Sequence, residues 1–160
     1  MIIISIILSL CHFLFFFSLI GGRLQHSSII FNKKIFVFGG EPDRLRQLND
    51  LHVFDIETSI WHEINPLGMP PSPRVSASSV VVGNKIYFFG GYDGSSWRND
   101  TFTYNIDDNI WEIVYTTNTS PKQRCRHSAI LYRNNIVIFG GNDSEKSYND
   151  VHLLKMSNFF

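Results

Sequence analysis

Between Val75 and Tyr115 the apolar positions fall into four short runs separated by turn signals. Val75 to Val82 is a Ser/Ala/Val run, the pattern of a buried strand lined by small residues. Gly83-Asn84 then stands between two apolar runs, the two-residue signal of a tight hairpin. Lys85 to Phe89 reads as a second strand ending at Gly90-Gly91, and a polar loop follows with Asp93-Gly94 as a further turn signal. From Asp100 to Ile106 the apolar Phe102, Tyr104 and Ile106 alternate with polar neighbours, the period of a half-buried strand. Asp107-Asp108-Asn109 turns the chain into a fourth strand, Ile110 to Tyr115, which carries Trp111.

The same phrase occurs three times. Phe36-Val37-Phe38-Gly39-Gly40 returns as Tyr87-Phe88-Phe89-Gly90-Gly91 and as Ile136-Val137-Ile138-Phe139-Gly140-Gly141, the first glycine stepping by 51 and then 50 residues. Asn49-Asp50, Asn99-Asp100 and Asn149-Asp150 keep this step, as do Trp61 and Trp111. The first copy parses into His26–Phe31, Lys34–Phe38, Asp50–Ile56 and Ile60–Ile64. The third supplies His127–Tyr132, Asn135–Phe139 and Asp150–Leu154, then lacks its fourth strand and Trp. Four antiparallel strands repeated at about 50 residues is how a propeller blade reads in sequence. The fold class predicted is therefore all-β, a partial propeller with blades at about 22–64, 74–115 and 124–155, preceded by an apolar, helix-compatible segment over 1–21. No long helix is expected between Arg23 and Leu154. A small sheet cannot bury both faces alone, so stacking must bury them. Paired glycines supply positive φ and close approach. The Asp of each Asn-Asp pair is expected to bond local backbone amides. Trp61 and Trp111 are expected at blade contacts, Trp61 the better buried because a complete second blade follows it.

Composition changes this picture little. Hydrophobic residues make up 44% and aromatics 14%, which suits pleated, half-buried surfaces. Basic and acidic residues balance at 14 each, so nothing argues for a nucleic-acid partner. Cys11 and Cys125 cannot build a disulfide framework and read as unpaired thiols.

Met1 to Ile20 has no charged side chain, and about 20 apolar residues can span a bilayer as a helix. Three readings stay open: a secretory signal, an uncleaved anchor that would give membrane contact, or sequence from a gene-model error replacing an earlier blade. No Lys or Arg precedes the run, and Ser18, Gly21 and Gly22 make a poor cleavage site. Localisation follows this choice: membrane or secretory pathway if the segment targets, cytoplasm otherwise. Sequons at Asn99, Asn118 and Asn142 add little in a chain this rich in Asn, Ser and Thr.

These residues resemble kelch repeats. The matching features are Arg23, His26-Ser27, Lys34 to Gly40, Asn49-Asp50, Phe54-Asp55 and Trp61 in the first copy. In the second they are Pro73-Arg74, Lys85 to Gly91, Asn99-Asp100, Tyr104 and Trp111, and in the third Arg124, His127-Ser128, Ile136 to Gly141 and Asn149-Asp150. Gly68 to Arg74 looks like the Gly-x-x-Pro-x-x-Arg link between such blades. The resemblance implies a propeller whose loops bind other proteins, and a chain of about two and three-quarter repeats implies a fragment of a longer propeller or a ring closed by association through its open edges. It also admits a copper oxidoreductase of the galactose-oxidase kind, or a membrane-anchored or secreted relative.

The chemistry of the residues favours a non-enzymatic reading with no cofactor. His26 and His127 share a phase but lack converging ligands. His52 and His152 read as outer, solvated positions. Cys125, between Arg124 and Arg126, could be activated by charge but has no identifiable base. No phosphate-binding Gly-rich loop or Gly-x-Ser-x-Gly is present. Strand direction places 41–48, 65–73, 92–98, 116–123 and 142–148 on one face. With the flanking positions these offer Arg44, Arg46, Arg74, Tyr92, Trp97, Arg98, Arg124, Arg126 and Tyr148 as candidate contacts for an unidentified protein partner. The competing reading is that Arg23, Arg74 and Arg124, being in phase, serve the architecture.

Overall fold

A computed structural model of the chain describes residues 20–117 and 120–156. The apolar segment, and every reading placed on it, lies outside the described residues apart from Ile20. Among the described residues there is no helix, and so none long and apolar enough to cross a membrane.

Eleven strands form three antiparallel sheets. The first holds β1 (Ser27–Phe31), β2 (Lys34–Gly40), β3 (Leu48–Asp55) and β4 (Ile60–Ile64) in chain order. The second holds β5 (Ser78–Val82), β6 (Lys85–Tyr92), β7 (Trp97–Asn105) and β8 (Ile110–Val114) in the same order. The third has three strands, β9 (Ser128–Tyr132), β10 (Asn135–Phe139) and β11 (Val151–Lys155), with β10 in the middle. As the sequence predicts, this sheet has no fourth, outermost strand among the described residues. β3 and β7 begin earlier than Asp50 and Asp100. A register shift at the diglycine lets the ladder continue past it, pairing Gly40 with Leu48 and Gly91 with Arg98. Such a bulge bends the strand without ending it.

The sheets pack as consecutive blades, β1 beside β5 and β5 beside β9. Because side chains alternate along a strand, each sheet offers one apolar set to each neighbour. Phe36, Phe38, Leu51 and Val53 of the first blade meet Ile86, Phe88, Phe102, Tyr104 and Trp111 of the second in one buried cluster. Val80 and Phe89, on the opposite face of the second blade, meet Ile136 and Ile138 of the third.

The two tryptophans reverse the expected order. Trp111 is 4% exposed, whereas Trp61 is only half-buried. Register explains this. Trp111 stands opposite Tyr104, which stands opposite Ile86, so all three project to the face turned toward the preceding blade. There the indole lies 5.3 Å from the rings of both Phe38 and Phe88. Trp61 stands opposite Phe54, in turn opposite Ile35, on the corresponding face of the first blade. No sheet among the described residues covers that face, and Trp61 packs on Phe54 at 5.0 Å instead.

Candidate partner-binding face

Each blade is clasped at one end by an arginine from the segment that leads into its first strand. Arg23 grips both carboxylate oxygens of Asp50 at 2.7 and 3.0 Å and donates to the Gly39 carbonyl at 3.0 Å. Arg74 repeats this on Asp100 at 2.6 and 3.0 Å and on Gly90 at 3.0 Å. Arg124 does so on Asp150 at 2.6 and 2.9 Å and on Gly140 at 2.8 Å. The planar guanidinium fits this bidentate geometry as an ammonium cannot. The Asp of each Asn-Asp pair thus takes an arginine, not the local amides expected from sequence. The Asn beside it holds the next linker: Asn49 donates to Pro71 O at 3.2 Å and Asn99 to Pro121 O at 3.1 Å.

Of the candidate contact residues, Arg74 and Arg124 lie inside the architecture, Arg124 with 0% of its surface exposed. Arg124 also covers the Tyr148 ring at 4.2 Å. Tyr92 and Trp97 are half-buried and pack on each other in a tilted pair, ring centroids 4.8 Å apart. Arg98 is held by Asp93 through Nε at 2.6 Å. Arg44, Arg46 and Arg126 stand exposed.

The bridges Leu24–Glu41, Val75–Tyr92 and Cys125–Asn142 bring the segment entering each first strand beside the one leaving each second strand. Both therefore sit at the same end of the blade. On that end Asp43, Asp93 and Asp143 each cap a tight loop. Asp43 Oδ1 accepts from the amides of Leu45 and Arg46 at 3.1 and 3.2 Å. Asp93 Oδ1 accepts from Ser95 and Ser96 at 3.0 and 2.8 Å, and Asp143 Oδ1 from Glu145 and Lys146 at 2.8 and 2.9 Å. Sequence reasoning missed this device, although the three aspartates step by 50 residues and so announce it. The second oxygen is taken by Arg98 in one loop and by the Tyr148 hydroxyl in another. Tyr148 and the Lys146 and Glu145 amides hold the Asp143 carboxyl below the usual carboxylate range. The loops are thus tight turns closed by their own aspartates. The first of them raises Leu45 to 87% exposure between Arg44 and Arg46.

Burial governs the ionisable groups near this end. Cys125 is buried and unpaired. Burial pushes its thiol up and outweighs the opposing effect of Arg126, so the charge activation considered from sequence does not prevail. His52 is buried on Asp50 at 2.8 Å, where the sequence pattern suggested a solvated outer position. His127 is buried against Ser78 Oγ at 2.7 Å, and burial together with Arg124 pulls its pKa down to about 4. Among the described residues no three His, Cys, Asp or Glu side chains are grouped to hold a metal ion.

This repeated clasp-and-sheet unit has known counterparts. The chain matches the KLHDC2/KLHL20/DRC7 Kelch-repeats domain over residues 18–159. It is 38% identical over 72 residues to the leucine-zipper-like transcriptional regulator 1 homolog of Drosophila melanogaster, covering 45% of this chain and 7% of that protein. It is 39% identical over 71 residues to Kelch domain-containing protein 3 of Homo sapiens, covering 44% of this chain and 19% of that protein. Acyl-CoA-binding domain-containing protein 5 of Arabidopsis thaliana is 36% identical over 72 residues, 44% of this chain and 11% of that protein. The chain therefore spans less than a fifth of these relatives. By the extent of that match, by its in-phase diglycines and by its all-β blades, the chain belongs to the Kelch-repeat domain family, whose members are generally protein-interaction modules.

Proposed function

We propose that this chain is a non-enzymatic protein-interaction module, part of a longer propeller, that takes its partner on the end carrying the aspartate-capped loops. The observation that supports this reading most is Leu45, 87% exposed between two exposed arginines on a turn closed by Asp43. Leu45 contributes little to folding where it stands, and burying it against another molecule would add about 1.5–3 kcal/mol to binding. Flanking arginines add the residue type over-represented at interface hot spots and favour a partner with acidic groups around an apolar anchor point. Arg126, at the same end, extends the basic character.

The test is comparative affinity capture from the native cell type. Wild-type chain is compared with an Arg44→Ala/Leu45→Ala/Arg46→Ala variant and with Arg133→Ala, which lies in the hairpin turn between β9 and β10. A protein retained by wild type and by Arg133→Ala, and lost from the triple variant, is the expected result. If every captured protein is indifferent to the triple substitution, this loop is not the docking surface.

A further inference from the structure

The three clasp arginines are not equivalent. Every N–H of Arg74 has an acceptor. Nη1 donates to Gly90 O and Asp100 Oδ1, Nη2 to Asp100 Oδ2 at 3.0 Å and to Ser72 Oγ at 2.9 Å, and Nε to Ser72 O at 3.0 Å. Arg124 makes the matching bonds to Gly140, Asp150 and the Lys122 carbonyl, but the position of Ser72 is taken there by Lys122 and in the first copy by Gly21. Of the three blades, only the second therefore sets a hydroxyl on its clasp. Its carboxylate is also the least supported. Asp50 meets His52 at 2.8 Å and Asp150 meets His152 at 2.9 Å, whereas the second blade has Phe102 at that position. Among the described residues, the Asp100 side chain bonds to Arg74 alone.

Ser72 lies where another protein can reach it. It stands between Pro71 and Pro73 in the linker from β4 to β5, outside any strand, with Met69 81% exposed and Pro70 and Pro73 exposed. Proline fixes φ and drives the residue before it to extended backbone, so this stretch is held extended. Kinases that read a Ser-Pro pair take their substrates as extended segments. Ser72 is half-buried and the Asp100 side chain 31% exposed, so solvent reaches both acceptors while the Arg74 side chain stays at 3%.

We infer that Ser72 is a phosphorylation site for a proline-directed protein kinase, and that its phosphate opens the clasp of the second blade. In the transfer the kinase's base takes the Ser72 hydroxyl proton and Oγ bonds the γ-phosphorus of ATP. The bond from that phosphorus to the bridging oxygen breaks, and ADP leaves with the electron pair. The product carries about −1.5 to −2 charges at pH 7 and three acceptor oxygens. It grows from an oxygen already 2.9 Å from Nη2, the nitrogen that also holds Asp100. One guanidinium then faces a phosphate and a carboxylate that repel each other. Asp100, with no histidine to retain it, is displaced, and the linker loses its tie to β7. The first blade feels this too, because Arg74 N donates to Leu48 O and Gly40 N donates to Arg74 O, both at 2.9 Å.

The test treats the purified full chain with a mitogen-activated protein kinase and ATP·Mg, maps phosphate by mass spectrometry and follows amide hydrogen exchange. Phosphate on Ser72 should speed exchange of the Gly40 and Arg74 amides about 10-fold or more, while the Gly91 and Arg124 amides of the next joint keep their rates. In Asp100→Asn, which removes the competing charge, phosphorylation should leave the Gly40 and Arg74 amides within about twofold of the unmodified variant. Ser72→Ala, left with Ser120-Pro121 as its one Ser-Pro pair, should keep its untreated rates after the same treatment, since the Ser120 hydroxyl faces Thr116 Oγ1 at 3.0 Å and not the clasp. A folded chain that takes no phosphate on Ser72 overturns the inference. So does phosphorylated Ser72 with unchanged or slower exchange at Gly40 and Arg74, the same rise in Asp100→Asn, or a rise in Ser72→Ala.

Discussion

Arg74 shows what one side chain does in this fold. Its guanidinium ties the linker before the second blade to Asp100 within β7 and to the diglycine carbonyl, and it is buried while doing so. Removing one partner of such a pair leaves the other groups unsatisfied, so Arg74→Ala should cost roughly 3–5 kcal/mol in a urea titration. Arg74→Lys should recover less than half, since a point charge cannot span both oxygens and the carbonyl. His127 makes a second, pH-dependent prediction. Its folded pKa, pulled down to about 4, lies below its unfolded value near 6.5. Between those values the unfolded chain binds the extra proton, so stability is complete above about pH 6.5 and falls as pH drops toward 4. The loss should approach ~3 kcal/mol. His127→Gln should flatten that slope across the same window in denaturant midpoints measured by pH, and an unchanged slope would assign the dependence elsewhere.

At the scale of elements, the strands follow local chemistry and their coverage does not. Cross-strand register puts Trp111 on the upstream face of its blade, where the first sheet covers it. Trp111→Ala should therefore cost ~3–5 kcal/mol, the range for truncating a buried aromatic. Trp61→Ala should cost clearly less, because its indole meets Phe54 with no blade beyond. Thermal or chemical denaturation of the two variants checks the order, and equal losses would mean that something else covers the first blade. The diglycine bulge has a parallel role, carrying the β2–β3 and β6–β7 ladders outward to the capped loops. In the third sheet this extension shrinks to the single bridge Asn142–Ser147, and β11 starts later, at Val151.

For the whole molecule, stability should be graded along the stack. The second blade is covered on both faces, the third on one, with Val151 and Leu153 of β11 open to solvent. Repeat arrays of this kind depend on nearest-neighbour interfaces. Native-state hydrogen exchange should find the slowest amides in β6 and β7 and much faster exchange in β10 and β11 at low protein concentration.

Much of this was legible in the chain of letters because local rules govern it. Alternation, the Gly83-Asn84 turn and a 50-residue step are enough to place eleven strands, the kelch resemblance and a third sheet of three strands among the described residues. The in-phase arginines admitted two readings, partner contact or architecture, and burial chose the second for Arg74 and Arg124, while the capping aspartates at 43, 93 and 143 could have been read from the same step. What sequence could not supply was direction. Whether a tryptophan faces the blade before or after it, whether Asp100 bonds an amide or an arginine, and whether His52 is wet or buried all depend on which sheet lies on which face. Spacing encodes the repeat of a position, whereas burial is decided by the neighbour that packs there. Only the tertiary structure brings that neighbour into place, and with it the uncovered face of the third blade.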